Sequence, residues 1–238
     1  FLYTLKVFSD TRPSWSDTLI SAVLVIASAL VKPNYVICLL PALGLWVLYK
    51  LWKRQPIQWP FLILGIGIPA VATLGWQYAI NYGAGVGEIL FDPLKVKYYY
   101  SDALIIKFVF SMLFPFLATR VYIRQAVRDD KTVLAWLCFI VGSFYAYFLS
   151  ETSGGNFSMG NFDWGAEMTL FILFVVVTLF WLERLKENGG WKKRDTFVAL
   201  ALGAHLVSGV LYYLFSLSID DYSEVASFRR IFDVFLGK

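Results

Sequence analysis

The sequence predicts an all-α protein, a polytopic transmembrane helical bundle of about seven spans. Of its 238 residues, 58% are hydrophobic and only 16% are charged, whereas soluble domains carry about 25% charged residues. Apolar runs recur along the chain near the length of roughly 20 residues that a membrane-crossing helix needs. No polar–apolar alternation runs through them, which disfavours a membrane β-barrel. These observations together predict helices that cross a bilayer.

Seven candidate spans follow one another along the chain. They are Ser16–Val31, Tyr35–Trp52, Trp59–Ile80, Ala103–Thr119, Thr132–Leu149, Met168–Leu182 and Thr196–Leu217. Cys38 and Cys138 fall inside two of them without metal-ligand spacing, so both are predicted to be buried packing residues. The chain opens at Phe1 on what reads as the end of an earlier hydrophobic segment. We therefore expect a single transmembrane domain over residues 1–238, the C-terminal part of a longer protein lacking upstream spans.

The basic residues predict the orientation of the chain. Fourteen of the 21 Lys and Arg residues lie in one alternating set of connectors, which includes Lys50–Arg54 and Lys192–Arg194. Basic connectors stay on the cytoplasmic side of a membrane. The N-terminus is therefore predicted to be cytoplasmic and the C-terminal tail extracytoplasmic. The two long connectors, Asn81–Asp102 and Ser150–Glu167, then lie on the outer face.

The second outer connector is the best candidate for a functional site. It repeats the triplet Gly-Asn-Phe and is much longer than the roughly two to eight residues that join most neighbouring helices. Carboxylates can act as bases, amides can bind sugar hydroxyls, and an indole can stack on a sugar ring. The alternative is a solvated hairpin in which Asn and Gly only form turns. The candidate residues are Glu151, Asn156, Asn161, Asp163, Trp164 and Glu167.

Three lysines near the predicted outer face are candidate anion-binding residues. Lys32 closes the first span before Pro33, where its ammonium could meet a lipid-linked phosphate. Lys95 and Lys97 precede a run of three tyrosines and could form an anion site with their hydroxyls. For each lysine the alternative is an interfacial role, with the ammonium extended toward the headgroups.

Two stretches resemble polytopic bacterial membrane glycosyltransferases of the GT-C type. The run "LVIASALVKPNYVICLLPALGLWVLYKLWKR" is similar to a span that ends in Lys-Pro, followed by a span with an internal proline. "KFVFSMLFPFLATRVYI" looks like a later span of such proteins. "SETSGGNFSMGNFDWGAEMTLFILF" resembles an outer loop of related polysaccharide-assembly proteins. The likeness touches about half of the chain.

This resemblance implies a glycosyltransferase or polysaccharide-assembly enzyme that uses a polyprenyl-linked sugar on the extracytoplasmic face of a bacterial inner membrane. Glu151 and Asp163 would be catalytic, while Asn156, Asn161 and Trp164 would line the sugar or acceptor site. Lys32 would meet the donor phosphate, with Lys95 and Lys97 as further substrate-binding residues. A divalent cation is a candidate cofactor, although no metal ligand is assigned. In GT-C enzymes the acidic base or metal ligand usually lies in the first outer loop, which would precede Phe1.

Other function classes make different demands on the sequence. The long aromatic outer connectors also fit a non-catalytic integral membrane subunit that binds other membrane proteins. A transporter fragment would need a midplane pathway near His205, and intramembrane charge is scarce in this chain. The sequence has no basic face with interleaved aromatic residues, so it does not indicate nucleic acid as a partner. The expected partners are therefore the lipid bilayer, a lipid-linked sugar and other membrane subunits.

Overall fold

The computed structural model is helical throughout the apolar runs of the chain. The described residues are 13–83, 87–95, 97, 104–153, 156–158 and 161–217. Among them, six helices are long and apolar enough to cross a membrane, and a shorter apolar helix precedes them. The prediction of an all-α helical bundle with about seven spans is therefore confirmed, and the chain is an integral membrane protein. Its orientation stays a prediction from the charge distribution.

Each predicted span matches a helix. In chain order the helices are α1 (Trp15–Val31), α2 (Asn34–Trp52), α3 (Ile68–Tyr82), α4 (Leu104–Val121), α5 (Ile123–Ala126), α6 (Asp130–Phe148), α7 (Asn161–Glu187) and α8 (Lys193–Leu217). A π-helical segment, Phe61–Gly67, leads into α3 and completes the third span. Three short strands lie in the outer connectors: β1 (Gly87–Phe91), β2 (Leu149–Ser153) and β3 (Asn156–Ser158).

The chain divides into two compact units. The first comprises Phe1–Pro93 and Val127–Val176, and the second comprises Leu94–Ala126 and Val177–Lys238. The sequence prediction of one domain over residues 1–238 stays a prediction.

In the first unit, α1 begins with a capping box. The Asp17 amide donates to Ser14 Oγ at 3.2 Å, and the Ser14 amide donates to Asp17 Oδ2 at 2.9 Å. This pairing satisfies backbone donors that the first turn of a helix leaves unpaired. At the other end, the Lys32 amide donates to Ser28 O at 2.9 Å. The helix therefore ends at Val31, which places Lys32 at the turn into α2.

The helix pair α2 and α6 forms the core of the first unit. Their buried residues interdigitate as small and large side chains, as close packing requires. Those residues include Val36, Cys38, Leu39, Ala42 and Trp46 from α2, and Leu134, Ala135, Cys138 and Phe139 from α6. Both cysteines are buried and free, so their predicted role as packing residues is confirmed.

Segments of the two long connectors form a three-stranded antiparallel sheet in the first unit, in the order β1-β2-β3. Phe91 pairs with Leu149, and Glu151 pairs with both Ile89 and Ser158. The Asp92 amide then donates to Phe148 O at 2.9 Å, which ties the end of β1 to the end of α6. The sequence analysis did not predict this sheet.

In the second unit, α4 packs against α8. Buried aromatic side chains fill this unit, with Phe114 and Trp181 meeting edge to face at a ring separation of 6.5 Å. The ring of Tyr122 meets that of Phe180 in the same way, also at 6.5 Å. Aromatic pairs prefer this geometry, and each contributes about 0.5–1.5 kcal/mol beyond the area it buries.

Gly142 permits the close approach of α6 to the first turns of α7 within the first unit. A Cβ at this position would lie 2.5 Å from Thr169 Oγ1 and 3.1 Å from Gly165 O. Thr169 Oγ1 is itself held by donating to Gly165 O at 2.8 Å. We expect Gly142→Ala to lower the free energy of unfolding by about 2 kcal/mol, because overpacking at backbone atoms is relieved only by moving a helix.

Gly75→Ala is the matched control for this substitution. Gly75 is also helical, but a Cβ there meets nothing within 4 Å among the described residues. Alanine should be neutral at that position, or stabilising by up to about 1 kcal/mol. Unfolding of both variants in mixed detergent micelles measures the difference. Equal stability of the two would contradict the close packing at Gly142.

Candidate functional site

Lys32 and Trp164 are in contact at one end of the first unit. The orientation predicted from the charge distribution makes this the outer end. Lys32 lies in the turn between α1 and α2, and Trp164 lies in the first turn of α7. The Lys32 ammonium sits 3.5 Å from the centroid of the Trp164 ring. A cation this close to an indole face is attracted by its quadrupole. Two residues predicted for one site, more than 100 positions apart, are thus in direct contact.

Close packing beside Trp164 explains this contact. Gly165 is buried, and a Cβ there would lie 3.1 Å from Cys38 Sγ and 3.5 Å from Asn34 O. The missing side chain lets the first turn of α7 lie directly against the first turn of α2. Lys32 precedes that turn of α2, so Trp164 is brought over its ammonium.

Asp163 stands beside Trp164 in the same helical turn. It is the acidic residue of the first turn of α7 and is half-buried. The partial positive charge at a helix N-terminus stabilises a carboxylate there. The sequence prediction assigned this stretch to a loop and began the span at Met168, but α7 begins at Asn161. Asp163 and Trp164 are therefore held on a helix, which fixes their positions more firmly than a loop would.

Glu151 lies on the central strand of the sheet. It is half-buried and occupies the middle of β2, opposite Ile89 on one side and Ser158 on the other. Neighbouring residues of a strand face opposite sides, and Ser150 beside it is buried. Glu151 is thus positioned by regular backbone pairing on the face opposite to Ser150.

The remaining predicted site residues are described only in part. Asn156, in β3, pairs in register with Ser153 of β2, and Asn161 begins α7. The side chains of both asparagines lie outside the described residues. The repeated Asn-Phe pairs thus differ in structure, because one lies in a strand and the other begins a helix. Lys95 and Lys97 belong to the second unit, where Lys95 is exposed and Lys97 is half-buried.

Metal binding has little support from the part of the chain that the structure describes. No group of three or more His, Cys, Asp or Glu side chains there could hold an ion.

Asp195 is the centre of a polar cluster in the second unit that the sequence reasoning missed. It is fully buried, and its Oδ1 accepts from Tyr122 Oη at 2.8 Å and from Trp181 Nε1 at 3.1 Å. Its Oδ2 accepts from the Lys192 amide at 3.0 Å. Burial raises the pKa of the Tyr122 phenol, and the hydrogen bond to Asp195 raises it further. A single acid directly after the basic run Lys192–Arg194 is the only sequence signal for this cluster.

The cluster has the features of one that stabilises the fold and does not bind a ligand. Every polar atom of the Asp195 carboxylate has a donor, and the Arg194 guanidinium lies 4.6 Å from the ring centroid of Tyr122. Donors from the chain itself occupy three of the roughly four lone-pair sites of this carboxylate, as expected of a residue that holds the fold together. We therefore assign the candidate functional site to the outer end of the first unit, around Lys32, Asp163 and Trp164.

Comparison of the chain with protein-family models, with curated proteins and with solved structures finds no match. Function therefore follows from the residues themselves. Among those predicted for the site, the structure brings Lys32 into contact with Trp164 and places Asp163 next to Trp164 on α7. It places Glu151 in the sheet of the same unit.

Proposed function

We propose that this protein is a membrane glycosyltransferase or polysaccharide-assembly enzyme that takes its sugar from a polyprenyl-linked donor on the extracytoplasmic face of a bacterial inner membrane. The contact between Lys32 and Trp164 is the observation that carries the proposal. It joins two stretches that separately resemble GT-C-type and polysaccharide-assembly proteins. It also puts a cation and an aromatic face together at one end of the apolar helices.

The ammonium of Lys32 suits a donor phosphate. The ammonium contacts the face of the Trp164 ring and carries three N–H donors. Donors that do not point at the ring can therefore bind phosphate oxygens. Lys32 is half-buried, so its charge is partly desolvated and acts more strongly than it would in water. In the proposed reaction it stabilises the negative charge that develops on the leaving phosphate.

The carboxylates supply the base. An acceptor hydroxyl oxygen attacks the anomeric carbon of the sugar, and the bond from that carbon to the phosphate oxygen breaks. The electron pair of that bond leaves on the polyprenyl phosphate, and the hydroxyl proton passes to a carboxylate. Asp163 has the better position for this role, because it neighbours Trp164, which would stack on the sugar ring. Glu151 is the second candidate.

Substitution of the two carboxylates tests the proposal. We expect Asp163→Asn or Glu151→Gln to slow sugar transfer about 100-fold, the lower end of the range for loss of a general base. The assay is transfer from a panel of radiolabelled polyprenyl-linked sugars to acceptor glycans in proteoliposomes. Folding is monitored in parallel by thermal unfolding.

Glu88→Gln is the matched control for this experiment. Glu88 lies on β1 of the same sheet, is exposed, and pairs with Thr152, next to Glu151. Its neutralisation changes the charge of the sheet equally but should leave transfer within about twofold. Full turnover in both Asp163→Asn and Glu151→Gln would remove the catalytic assignments.

A non-catalytic membrane subunit is the second candidate function, and the surface of α8 favours it. Only 11% of its apolar span is buried within the chain. A Cβ at Gly203 or Gly209 would meet nothing within 4 Å among the described residues. Small residues on an uncovered membrane helix allow another helix to approach closely. Co-purification of a membrane partner that Gly203→Leu or Gly209→Leu disrupts, without any transferase activity, would favour this function.

A further inference from the structure

An apolar groove runs along the first unit beside the middle of α2, from Leu40 to Val47. Its volume is about 510 Å³, within the range of about 300–1,000 Å³ typical of ligand pockets. It lies between α2 and the third span and is open on one side. Its lining residues are all apolar and include Leu40, Leu43, Val47, Ile63, Ile68 and Val71.

Irregular backbone and two glycines form the groove. The π-helical segment Phe61–Gly67 forms one wall, and segments of this kind often mark functional sites in helices. Gly44 and Gly67 both line the groove. A Cβ on Gly44 would meet nothing within 4 Å among the described residues, so its missing side chain leaves the groove open.

One end of the groove is basic and aromatic. Trp59 lines that end and is 46% exposed, as an indole at the membrane interface would be. The connector joining the two walls carries Lys53 and Arg54, both exposed. Within the described residues neither forms an ion pair, whereas Lys50 one turn earlier is paired with Asp130. The Lys53 ammonium lies 4.4 Å from the centroid of the Trp52 ring, a contact with a ring face that leaves N–H donors for an anion. The connector that leads to Trp59 thus carries two cations without an ion-pair partner among the described residues.

The length of the groove matches a lipid chain. Its lining extends from Trp59 to Ala72 along the third span, roughly 20 Å, and from Leu40 to Val47 along α2, roughly 10 Å, at the helical rise. One leaflet of a bilayer contributes about half of its roughly 30 Å hydrocarbon core. An acyl chain that lies in the groove therefore carries its headgroup to the level of Trp59 and the basic connector.

We propose that this groove binds an acidic glycerophospholipid, with one acyl chain between α2 and the third span and the phosphate at Lys53 and Arg54. Charge complementarity selects the lipid, because basic residues next to a membrane helix attract anionic headgroups. The site is separate from the proposed transferase site, because Lys32 precedes the first turn of α2 and Lys53 follows its last.

Photolabelling of the whole chain in nanodiscs tests the assignment. Two probes carry the same diazirine on one acyl chain, one on phosphatidylglycerol and one on phosphatidylcholine. We expect phosphatidylglycerol to label the peptides containing Val47 and Ile63 at least fivefold more strongly. Equal labelling of these peptides by the two probes would overturn the proposal.

Two sets of variants separate the groove from general lipid contact. Gly44→Leu fills the groove and should lower the labelling at least fivefold, whereas Gly75→Leu should not, because Gly75 has equal open space around it but does not line the groove. Equal loss in both would contradict a specific site.

Lys53→Gln with Arg54→Gly should abolish the headgroup preference. Both positions are exposed, and Arg54 has a φ of 53° that glycine adopts readily. A preference retained in that double variant would also overturn the proposal.

Discussion

Replacing Asp195 with alanine is expected to lower the free energy of unfolding by about 4 kcal/mol, the largest effect of any single substitution proposed for this protein. Asp195 is fully buried and accepts three hydrogen bonds, from Tyr122 Oη, Trp181 Nε1 and the Lys192 amide. Alanine removes all three acceptor sites at once. The Tyr122 and Trp181 donors would remain buried without partners, and each such group costs about 1–3 kcal/mol.

Asparagine at the same position distinguishes charge from shape. Its amide nitrogen must replace either Oδ1, which faces the Trp181 indole N–H, or Oδ2, which faces the Lys192 amide N–H. In both orientations two donors face each other. We therefore expect Asp195→Asn to cost about 2 kcal/mol, less than alanine but more than an isosteric change at a solvated site.

Glu183→Gln is the control for Asp195. Its side chain is 63% exposed, and its carboxylate lies 3.8 Å from the Arg184 guanidinium. Exposed ion pairs contribute about 0–1 kcal/mol, so this variant should unfold like the parent protein. The free energy of unfolding is measured in mixed micelles by steric trapping. If the free energy of unfolding of Asp195→Ala lies within about 1 kcal/mol of that of the parent protein, the cluster does not stabilise the fold as proposed.

Much of the helical fold could be predicted because hydropathy is a local property. A run of apolar residues must be helical in a membrane whatever surrounds it, since its backbone groups have no other partners. The prediction was least accurate at α7, which begins at Asn161 and not at Met168. Hydropathy indicates the length that lies in hydrocarbon, whereas the helix continues through polar residues such as Asp163 that favour a helix N-terminus.

The sheet and the candidate site depend on contacts that are distant along the chain. β1 and β2 are separated by more than 50 residues, and "LSETS" carries little strand signal of its own. Lys32 and Trp164 were each predicted for the site from residue type and position. Their contact depends on Gly165 packing against α2, which no local pattern predicts. Asp195 was missed for the same reason, since Tyr122, one of its donors, lies 73 positions away.

Breaking the buried ion pair between α2 and α6 is expected to have the second-largest effect on stability. Lys50 Nζ lies 2.7 Å from Asp130 Oδ2, and the two side chains are 10% and 30% exposed. We expect Asp130→Asn to cost about 3 kcal/mol, because it leaves the more deeply buried ammonium without its counter-charge. Lys50→Met should cost less, about 1–2 kcal/mol, because the partly exposed Asp130 carboxylate can be hydrated.

The double variant tests whether this asymmetry comes from the pair itself. If it does, Lys50→Met with Asp130→Asn should be more stable than the sum of the single effects predicts, by a coupling energy of about 2 kcal/mol. Lys186→Met, on an exposed position near the end of α7, is the control and should change stability by less than about 0.5 kcal/mol. Additive single effects, or a smaller cost for Asp130→Asn than for Lys50→Met, would contradict the assignment. The charge left in the more buried position should decide the cost, because its lost hydration is not replaced.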